Sequence, residues 1–159
     1  MADSKRKVLF VCMGNICRSP AAEAVLQHLI EVNNLTKMIE VDSAGTHGYH
    51  VGEMADRRMR QAGEKRGYRF VTRARQIQPG DLDEFELVVA MDRTNLSFIQ
   101  RLHERPTAEI RLLSHFLDSK WGEEVPDPYY GGLKGFEQVL DMLEAAGPAM
   151  LDYLKDPRA

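Results

Sequence analysis

The fold is set by one stretch of the sequence, Lys7-Val8-Leu9-Phe10-Val11-Cys12-Met13-Gly14-Asn15-Ile16-Cys17-Arg18-Ser19-Pro20. The apolar run over 8–11 predicts a short strand that is buried on both faces. Gly14 and Asn15 can adopt left-handed conformations, so they predict a turn. Ser19 is a favoured helix cap and Pro20 a favoured first helical residue, and apolar residues follow at helical spacing. The stretch therefore predicts a strand, a loop and a helix.

Beyond this stretch, short apolar runs alternate with helical patterns. We expect further strands over 38–42, 86–91 and 110–113, and helices from 19 to before 33, over 53–65, 93–102 and 136–154. Gly67 is expected to close the second helix, and Gly147-Pro148 to kink the last one. A long loop is expected over 117–135. This alternation predicts an α/β fold in one domain over 1–159, a parallel sheet of four strands with helices on both faces.

The composition limits the classes of function. The 159 residues are 43% hydrophobic and 28% charged, as in soluble globular proteins. The formal net charge of −3 argues against nucleic acid as a partner. No apolar run approaches the roughly 18 residues of a membrane span. The apolar run 8–13 is too short for a secretory signal, so we expect a cytoplasmic protein without a membrane partner.

The two cysteines, Cys12 and Cys17, are too few for a disulfide scaffold and form a poor zinc site. His47 and His50 could suggest a metal, but no third ligand accompanies them. We therefore expect no metal and no cofactor. The two thiols remain as reactive or passive buried groups, and their spacing allows a disulfide that could protect Cys12 from over-oxidation.

The loop between the first strand and the first helix has the features of a phosphate site. Ligands bind at the carboxyl ends of parallel strands, and a helix N-terminus attracts anions. The loop lacks the Gly-Lys-Ser/Thr of nucleotide-binding loops, which excludes ATP and GTP. Arg18 offers a planar fork of donors that fits two phosphate oxygens, and an ionised Cys12 is a nucleophile. The helix dipole alone is too weak to hold a thiolate, so Arg18, the Ser19 hydroxyl and the loop amides must contribute.

The stretch from Val11 to Pro20 resembles the phosphate loop of the low-molecular-weight protein tyrosine phosphatases. Asp127-Pro128-Tyr129-Tyr130-Gly131 is similar to the general-acid loop of that family. The segments Asp42–Gly45 and Ala90–Asp92 match it in the same order, so the resemblance covers essentially the whole chain. It implies a Rossmann-like sheet of the phosphotyrosine phosphatase I type, and catalysis without metal or cofactor through a phosphocysteine intermediate.

The resemblance also implies a role for each matching residue. Cys12 would be the nucleophile, Arg18 would bind the phosphoryl oxygens and Asp127 would be the general acid and base. Asn15 and Ser43 would hold the shape of the loop, and Ser19 would support the thiolate. Asp92 either supports the site or only caps the following helix. The substrate would contact Met13, Gly14, Asn15, Ile16, Cys17, Ser19, Tyr49, Tyr129 and Tyr130.

Substrate preference leaves fainter traces in the sequence. Five apolar and aromatic residues could wall a deep slot for an aromatic ring: Met13, Ile16, Tyr49, Tyr129 and Tyr130. A deep slot would favour phosphotyrosine over the shorter phosphoserine. Family members that cleave phosphoarginine have Thr at the position of Ile16, so Ile16 favours tyrosine. Thr72 departs from the family, because many members have His there. The expected partner is a phosphotyrosine protein, with a tyrosine kinase as one candidate.

Two rival functions remain open at this point. An arsenate reductase on the same scaffold would need cysteines far along the chain, and none follows Cys17. A non-catalytic phosphate-binding module would keep the loop without needing Cys12 or Asp127.

Overall fold

The computed structural model describes residues 5–156. Its sheet has four parallel strands, in the order β2-β1-β3-β4. The strands are β1 (Arg6–Cys12), β2 (Ile39–Gly45), β3 (Leu87–Ala90) and β4 (Glu109–Leu112). The predicted parallel sheet is confirmed.

Helices cover both faces of this sheet. They are α1 (Arg18–Val32), α2 (Arg57–Lys65), α3 (Asp81–Glu84), α4 (Arg93–Leu102) and α5 (Leu133–Lys155). Two 3-10 turns lie at Leu113–Phe116 and Ser119–Trp121. Side chains of β1 alternate between two cores, because successive residues of a strand point to opposite faces. Val8 and Phe10 pack with α1, α2 and α5, whereas Leu9 and Val11 pack with α3 and α4.

Several predicted boundaries were wrong for identifiable reasons. Strand β2 extends to Gly45, because residues 43–45 pair with residues 10–12 of β1. Helix α2 begins only at Arg57, since the Asp56 carboxylate caps it by accepting from the Arg58 N–H at 2.8 Å. Helix α1 begins at Arg18, so Ser19 is not its cap.

The last helix also differs from the prediction. It begins at Leu133 instead of Phe136, and it continues through Pro148 to Lys155. Gly147 has a packing role here, because a Cβ at that position would lie 2.5 Å from Leu29 Cδ1 of α1. Gly67 closes α2 as predicted, since it follows the cap residue Arg66 with φ of 92°.

The topology creates a crevice at the carboxyl end of β1. The chain leaves β1 to one side for β2 and returns on the other side for β3. Ligands of open α/β sheets bind at such a switch point. Cys12 at the end of β1 and Asp92 after β3 flank this point.

Within residues 5–156, no helix combines the length and apolarity that a membrane span needs.

Candidate active site

The loop that connects β1 to α1, here called the phosphate loop (residues 12–18), leaves most of its amides without a protein acceptor among the described residues. The carbonyl oxygens of Cys12, Met13 and Ile16 each accept a backbone hydrogen bond from outside the loop, at 2.9, 3.0 and 2.7 Å. The N–H groups of residues 14–19 have no acceptor among the described residues. These donors lie at the N-terminus of α1, so they can bind an anion.

Asn15 holds the loop in shape. It adopts the left-handed conformation with φ of 58°, whereas Gly14 does not, so the turn predicted for both falls on Asn15. Its Nδ2 donates to Ser19 Oγ at 2.8 Å and to Ser43 Oγ at 3.0 Å. Its Oδ1 accepts from the Arg75 N–H at 3.0 Å. The side chain therefore ties the loop to its own helix, to β2 and to residue 75.

Gly45 allows the phosphate loop to lie close to the end of β2. A Cβ at this position would lie 2.8 Å from the carbonyl oxygen of Met13 and 3.0 Å from the carbonyl carbon of Gly14. Both atoms belong to backbone, which has little room to shift. Any larger residue at this position would displace the loop.

The thiol of Cys12 is at the centre of the loop. Cys12 is 3% exposed, and its Sγ lies 3.1 Å from Ser19 Oγ. A thiolate can only accept, so when Cys12 is ionised this hydroxyl must donate to it.

Arg18 is fixed through Nη1, and the Nε–Nη2 edge of its guanidinium lies beside Asp127. Its Nη1 donates to Asp92 Oδ2 at 2.6 Å and to the Val125 carbonyl at 3.0 Å. Its Nε has no acceptor among the described residues, and its Nη2 lies 3.6 Å from Asp127 Oδ2. Burial lowers the pKa of Arg18, but Cys12 and Asp92 outweigh this effect and raise it. The guanidinium is therefore a fixed cation whose Nε–Nη2 edge can bind two oxygens.

Asp92 has both of the roles that the sequence left open. Its Oδ2 pairs with Arg18, and its Oδ1 accepts from the Asn95 N–H at 2.8 Å, which caps α4.

Asp127 lies on an exposed segment, here called the acid loop (residues 125–132). Its Oδ1 accepts from the Tyr129 N–H at 3.0 Å, and its side chain is 38% exposed. The loop is attached at its start by the Val125 N–H, which donates to the Met91 carbonyl at 2.9 Å. Arg58 attaches it further along, donating to the Tyr129 carbonyl at 3.0 Å.

A cavity of about 250 Å³ joins the two loops. It is lined by Cys12, Met13, Gly14, Ile16, Cys17, Arg18, Tyr49, His50, Asp127, Tyr129 and Tyr130. Asn15 and Ser19, which were expected to contact the substrate, do not line it and lie behind the loop. Tyr49 and Tyr130 are 79% and 91% exposed, so they form the rim of the cavity and not the walls of a deep slot.

Cys17 is a different kind of thiol from Cys12. It is 4% exposed, and burial, followed by the negative charge of Asp56, raises the pKa of its thiol. It therefore stays neutral at physiological pH. Both cysteines are free in the structure, and their pairing in a disulfide stays a prediction.

Sequence reasoning missed Glu23, a buried carboxylate behind the phosphate loop. Ser43 Oγ donates to Glu23 Oε1 at 2.6 Å, and Thr72 Oγ1 donates to the same oxygen at 3.0 Å. Thr72 thus joins the support of the loop through Glu23. Burial raises the pKa of Glu23, and the hydrogen bonds oppose that effect. One signal was available: Glu23 follows Ser19 by four residues, so both lie on one face of α1.

The two loop histidines have protein partners. His47 Nδ1 lies 2.9 Å from Thr46 Oγ1, and His50 Nδ1 lies 3.1 Å from Glu53 Oε1. Across residues 5–156, no group of three His, Cys, Asp or Glu side chains is placed to hold a metal ion. The sequence did not predict that His50 would line the cavity, although it predicted the adjacent Tyr49, because two loop histidines without a third ligand are typical of plain surface residues.

Comparisons with known proteins show the family and the fold of this chain. The family model described as low molecular weight phosphotyrosine protein phosphatase matches residues 7–159. The chain is 44% identical to the low molecular weight protein-tyrosine-phosphatase of Streptomyces coelicolor, over 94% of each chain. The crystal structure of a protein tyrosine phosphatase from Entamoeba histolytica superimposes with a TM-score of 0.92 at 42% identity, covering 98% of this chain and 100% of that one. A Drosophila arginine phosphatase superimposes with a TM-score of 0.88 at 35% identity, covering 94% of this chain and 98% of that one. The chain therefore belongs to the low molecular weight phosphotyrosine protein phosphatase family.

Proposed function

We propose that this protein hydrolyses phosphotyrosine in other proteins through a covalent phosphocysteine on Cys12. One observation carries the proposal. Cys12, Arg18 and Asp127 all border the same cavity. These are a nucleophile, an oxyanion clamp and a proton donor, which are the three parts that phosphoryl transfer to a thiolate needs.

In the first step, the Cys12 thiolate attacks phosphorus and an S–P bond forms while the P–O bond to tyrosine breaks. The Nε–Nη2 edge of Arg18 and the unpaired loop amides bind the equatorial oxygens, where charge builds up. A phenolate is a poor leaving group because its conjugate acid has a pKa near 10. Protonated Asp127 gives its proton to the phenolic oxygen, so tyrosine leaves neutral.

In the second step, water hydrolyses the intermediate. Asp127, now ionised, takes a proton from a water molecule whose oxygen attacks phosphorus. The S–P bond breaks, which releases inorganic phosphate and restores the thiolate. Asp127 is then protonated again, so it serves as acid and then as base.

The rim of the cavity favours an aromatic substrate. Tyr49, Tyr129 and Tyr130 surround the opening, and aromatic rings pack well against one another. Ile16 is 7% exposed and gives the cavity an apolar contact. A relative of this chain is named as an arginine phosphatase. Ile16 supports phosphotyrosine over phosphoarginine here, because an isoleucine cannot hydrogen-bond a guanidinium.

Two other functions fit the chain less well. An arsenate reductase must pass its disulfide outward to further cysteines, and the sequence has none after Cys17. A phosphate-binding module without catalysis would not need Asp127 beside Arg18.

We infer that the protein acts in the cytoplasm as one domain, since a catalytic thiol is best kept reduced there. Its partner would be a phosphotyrosine protein, and a tyrosine kinase that carries its own phosphotyrosine is one candidate. The negative net charge supports a protein partner over nucleic acid.

The proposal is tested by measuring kcat/KM on matched peptides that carry phosphotyrosine, phosphoserine or phosphoarginine. We expect phosphotyrosine to be preferred, and Cys12→Ser to abolish turnover while phosphopeptide binding persists. Preference for phosphoarginine would overturn the substrate assignment. Normal turnover by Cys12→Ser would overturn the mechanism.

A further inference from the structure

Asp127 lies in a short span of the acid loop that is attached on both sides. Before it, the Val125 N–H donates to the residue that follows β3, at 2.9 Å. After it, the Tyr129 carbonyl accepts from Arg58 Nη2 at 3.0 Å. Only residues 126–128 lie between these attachments, and two of the three are prolines, whose φ is fixed. The placement of Asp127 therefore depends on the two attachments.

The backbone of Tyr129 connects Arg58 to the carboxyl group of Asp127. The Tyr129 N–H donates to Asp127 Oδ1 at 3.0 Å, while the carbonyl of the same residue is the acceptor for Arg58. Because Oδ1 accepts this hydrogen bond, the acidic proton of Asp127 belongs on Oδ2. Oδ2 is also the oxygen that lies 3.6 Å from Arg18 Nη2. The hydrogen bond thus leaves the proton on the oxygen beside the phosphate-binding arginine.

Arg58 is itself fixed by a carboxylate and two aromatic rings. Its Nε and Nη2 donate to the two carboxylate oxygens of Asp56 at 3.1 and 3.0 Å, as a planar fork. Its guanidinium carbon lies 4.7 Å from the centre of the Phe136 ring, which is fully buried in α5, and 5.4 Å from the Tyr129 ring. Since Nη2 carries two hydrogens, it can donate to Asp56 and to the Tyr129 carbonyl together. The arginine therefore joins α2, α5 and the acid loop.

We propose that Arg58 is a positioning residue for proton transfer: it fixes the backbone of Tyr129, whose N–H orients the Asp127 carboxyl so that Oδ2 donates the proton. This proton moves from Oδ2 to the phenolic oxygen as the P–O bond breaks, and Asp127 is left ionised. The inference rests on the proposed function, in which Asp127 is the proton donor. Arg58 is not among the residues that line the cavity, so it acts through Asp127 and not on the substrate.

The test compares kcat/KM for phenyl phosphate and p-nitrophenyl phosphate in variants of Arg58. The two substrates share the phosphoryl group, but phenol is the poorer leaving group and depends more on a proton donor. Arg58→Met removes the hydrogen-bond donors and keeps an unbranched stem beside Phe136. Arg58→Lys keeps the positive charge but cannot replace the planar fork.

We expect Arg58→Met to lower kcat/KM about tenfold for phenyl phosphate and less than about threefold for p-nitrophenyl phosphate, because a misplaced acid costs most where the leaving group is poor. Arg58→Lys should show the same selectivity for phenyl phosphate in its loss. Unchanged rates, or equal losses on the two substrates, would overturn the inference. So would a lysine variant as active as the unmodified protein, because the charge alone would then suffice.

Two further variants separate positioning from other effects. Arg57→Met removes the neighbouring exposed arginine, which has no partner among the described residues, and should leave both rates unchanged. In an Asp127→Ala background, Arg58→Met should add less than about a twofold change for phenyl phosphate, because no proton donor is left to position. A full additional loss there would contradict action through Asp127. Thermal unfolding checks that each variant is folded, and Arg58→Leu replaces Arg58→Met under the same expectations if that variant is not.

The two proposals fail in different ways. If the proposed function is wrong, the unmodified protein hydrolyses neither substrate, or Cys12→Ser remains active. If only the role of Arg58 is wrong, the unmodified protein is active and Asp127→Ala has its selective loss on phenyl phosphate, whereas the Arg58 variants show no such selectivity.

Discussion

The phosphate loop and the acid loop border one cavity but are held in different ways. Asn15 and Arg18 of the phosphate loop are each 2% exposed, and their partners come from β2, the end of β3 and the 72–75 segment. In the acid loop, the Asp127 side chain is 38% exposed and Tyr130 is 91% exposed. The first loop belongs to the core and the second lies at the surface.

This difference matches two separate tasks. The phosphoryl group is the same in every substrate, so its binding site can be rigid and buried. The leaving group varies, and its proton donor must be reached from outside. Changes in the phosphate loop should therefore affect all substrates equally, whereas changes in the acid loop should depend on the leaving group.

The largest expected effect is that of Cys12→Ser. A serine hydroxyl at this position is not ionised, so we expect kcat to fall by about 10,000-fold or more for every phosphomonoester. Vanadate and phosphopeptide binding should persist, as measured by calorimetry. A residual rate within about tenfold of the unmodified protein would show that another group is the nucleophile.

Arg18→Lys should cause the next largest loss. Arg18 bonds to Asp92 and Val125 through one nitrogen and still has its Nε–Nη2 edge to bind two oxygens, which a lysine cannot do. We expect kcat/KM to fall about 1,000-fold, equally for aryl and alkyl phosphates. Arg93→Lys, an exposed arginine paired with Glu123, is the matched control and should change little. A loss confined to aryl substrates would contradict the assigned role.

Asp127→Ala should distinguish the roles of the two loops most clearly. We expect kcat to fall about 100-fold for phenyl phosphate, because the poor leaving group loses its proton donor. For substrates with acidic leaving groups such as p-nitrophenol the loss should be smaller. Asp118→Ala is the control, since Asp118 only caps a nearby 3-10 turn. Equal losses for all leaving groups would argue against general acid catalysis.

Asp56→Ala should have the smallest effect, because Asp56 connects the two loops without contacting the cavity. Its N–H donates to the Ile16 carbonyl, and its partner Arg58 donates to the Tyr129 carbonyl. Loss of the helix cap should cost about 1 kcal/mol of unfolding free energy. For a protein of this size, that corresponds to a fall in Tm of about 2–4 °C.

The effect of Asp56→Ala should also depend on pH. Burial raises the pKa of Asp56, but the hydrogen bonds from Arg58 outweigh it and hold the pKa below its ordinary value. The ionised carboxylate therefore stabilises the fold fully above about pH 4, and this stabilisation is lost as the pH falls through the folded-state pKa. Thermal melts of both proteins should converge at low pH. A constant difference down to about pH 2 would contradict this assignment.

The sequence predicted those parts of the site that belong to short motifs, each compact along the chain. Cys12, Arg18 and Asp127 belong to compact motifs whose chemistry is readable from residue types. Glu23 was missed because its partners, Ser43 and Thr72, come from distant segments. His50 was missed because a pair of loop histidines without a third ligand is typical of plain surface residues. The end of β2 was misread because Ser43, Ala44 and Gly45 look like a loop until their pairing with β1 is known. Helix α3 is a single turn, too short for a periodic pattern.

The state of the Cys12 thiol tests the account most directly. Its alkylation by iodoacetate should be followed against pH, with and without vanadate, and the modified residue identified by mass spectrometry. We predict that Cys12 is already alkylated at neutral pH, that vanadate protects the residue, and that Cys17 stays unmodified. Alkylation of Cys12 only above about pH 8, without protection by vanadate, would contradict the account.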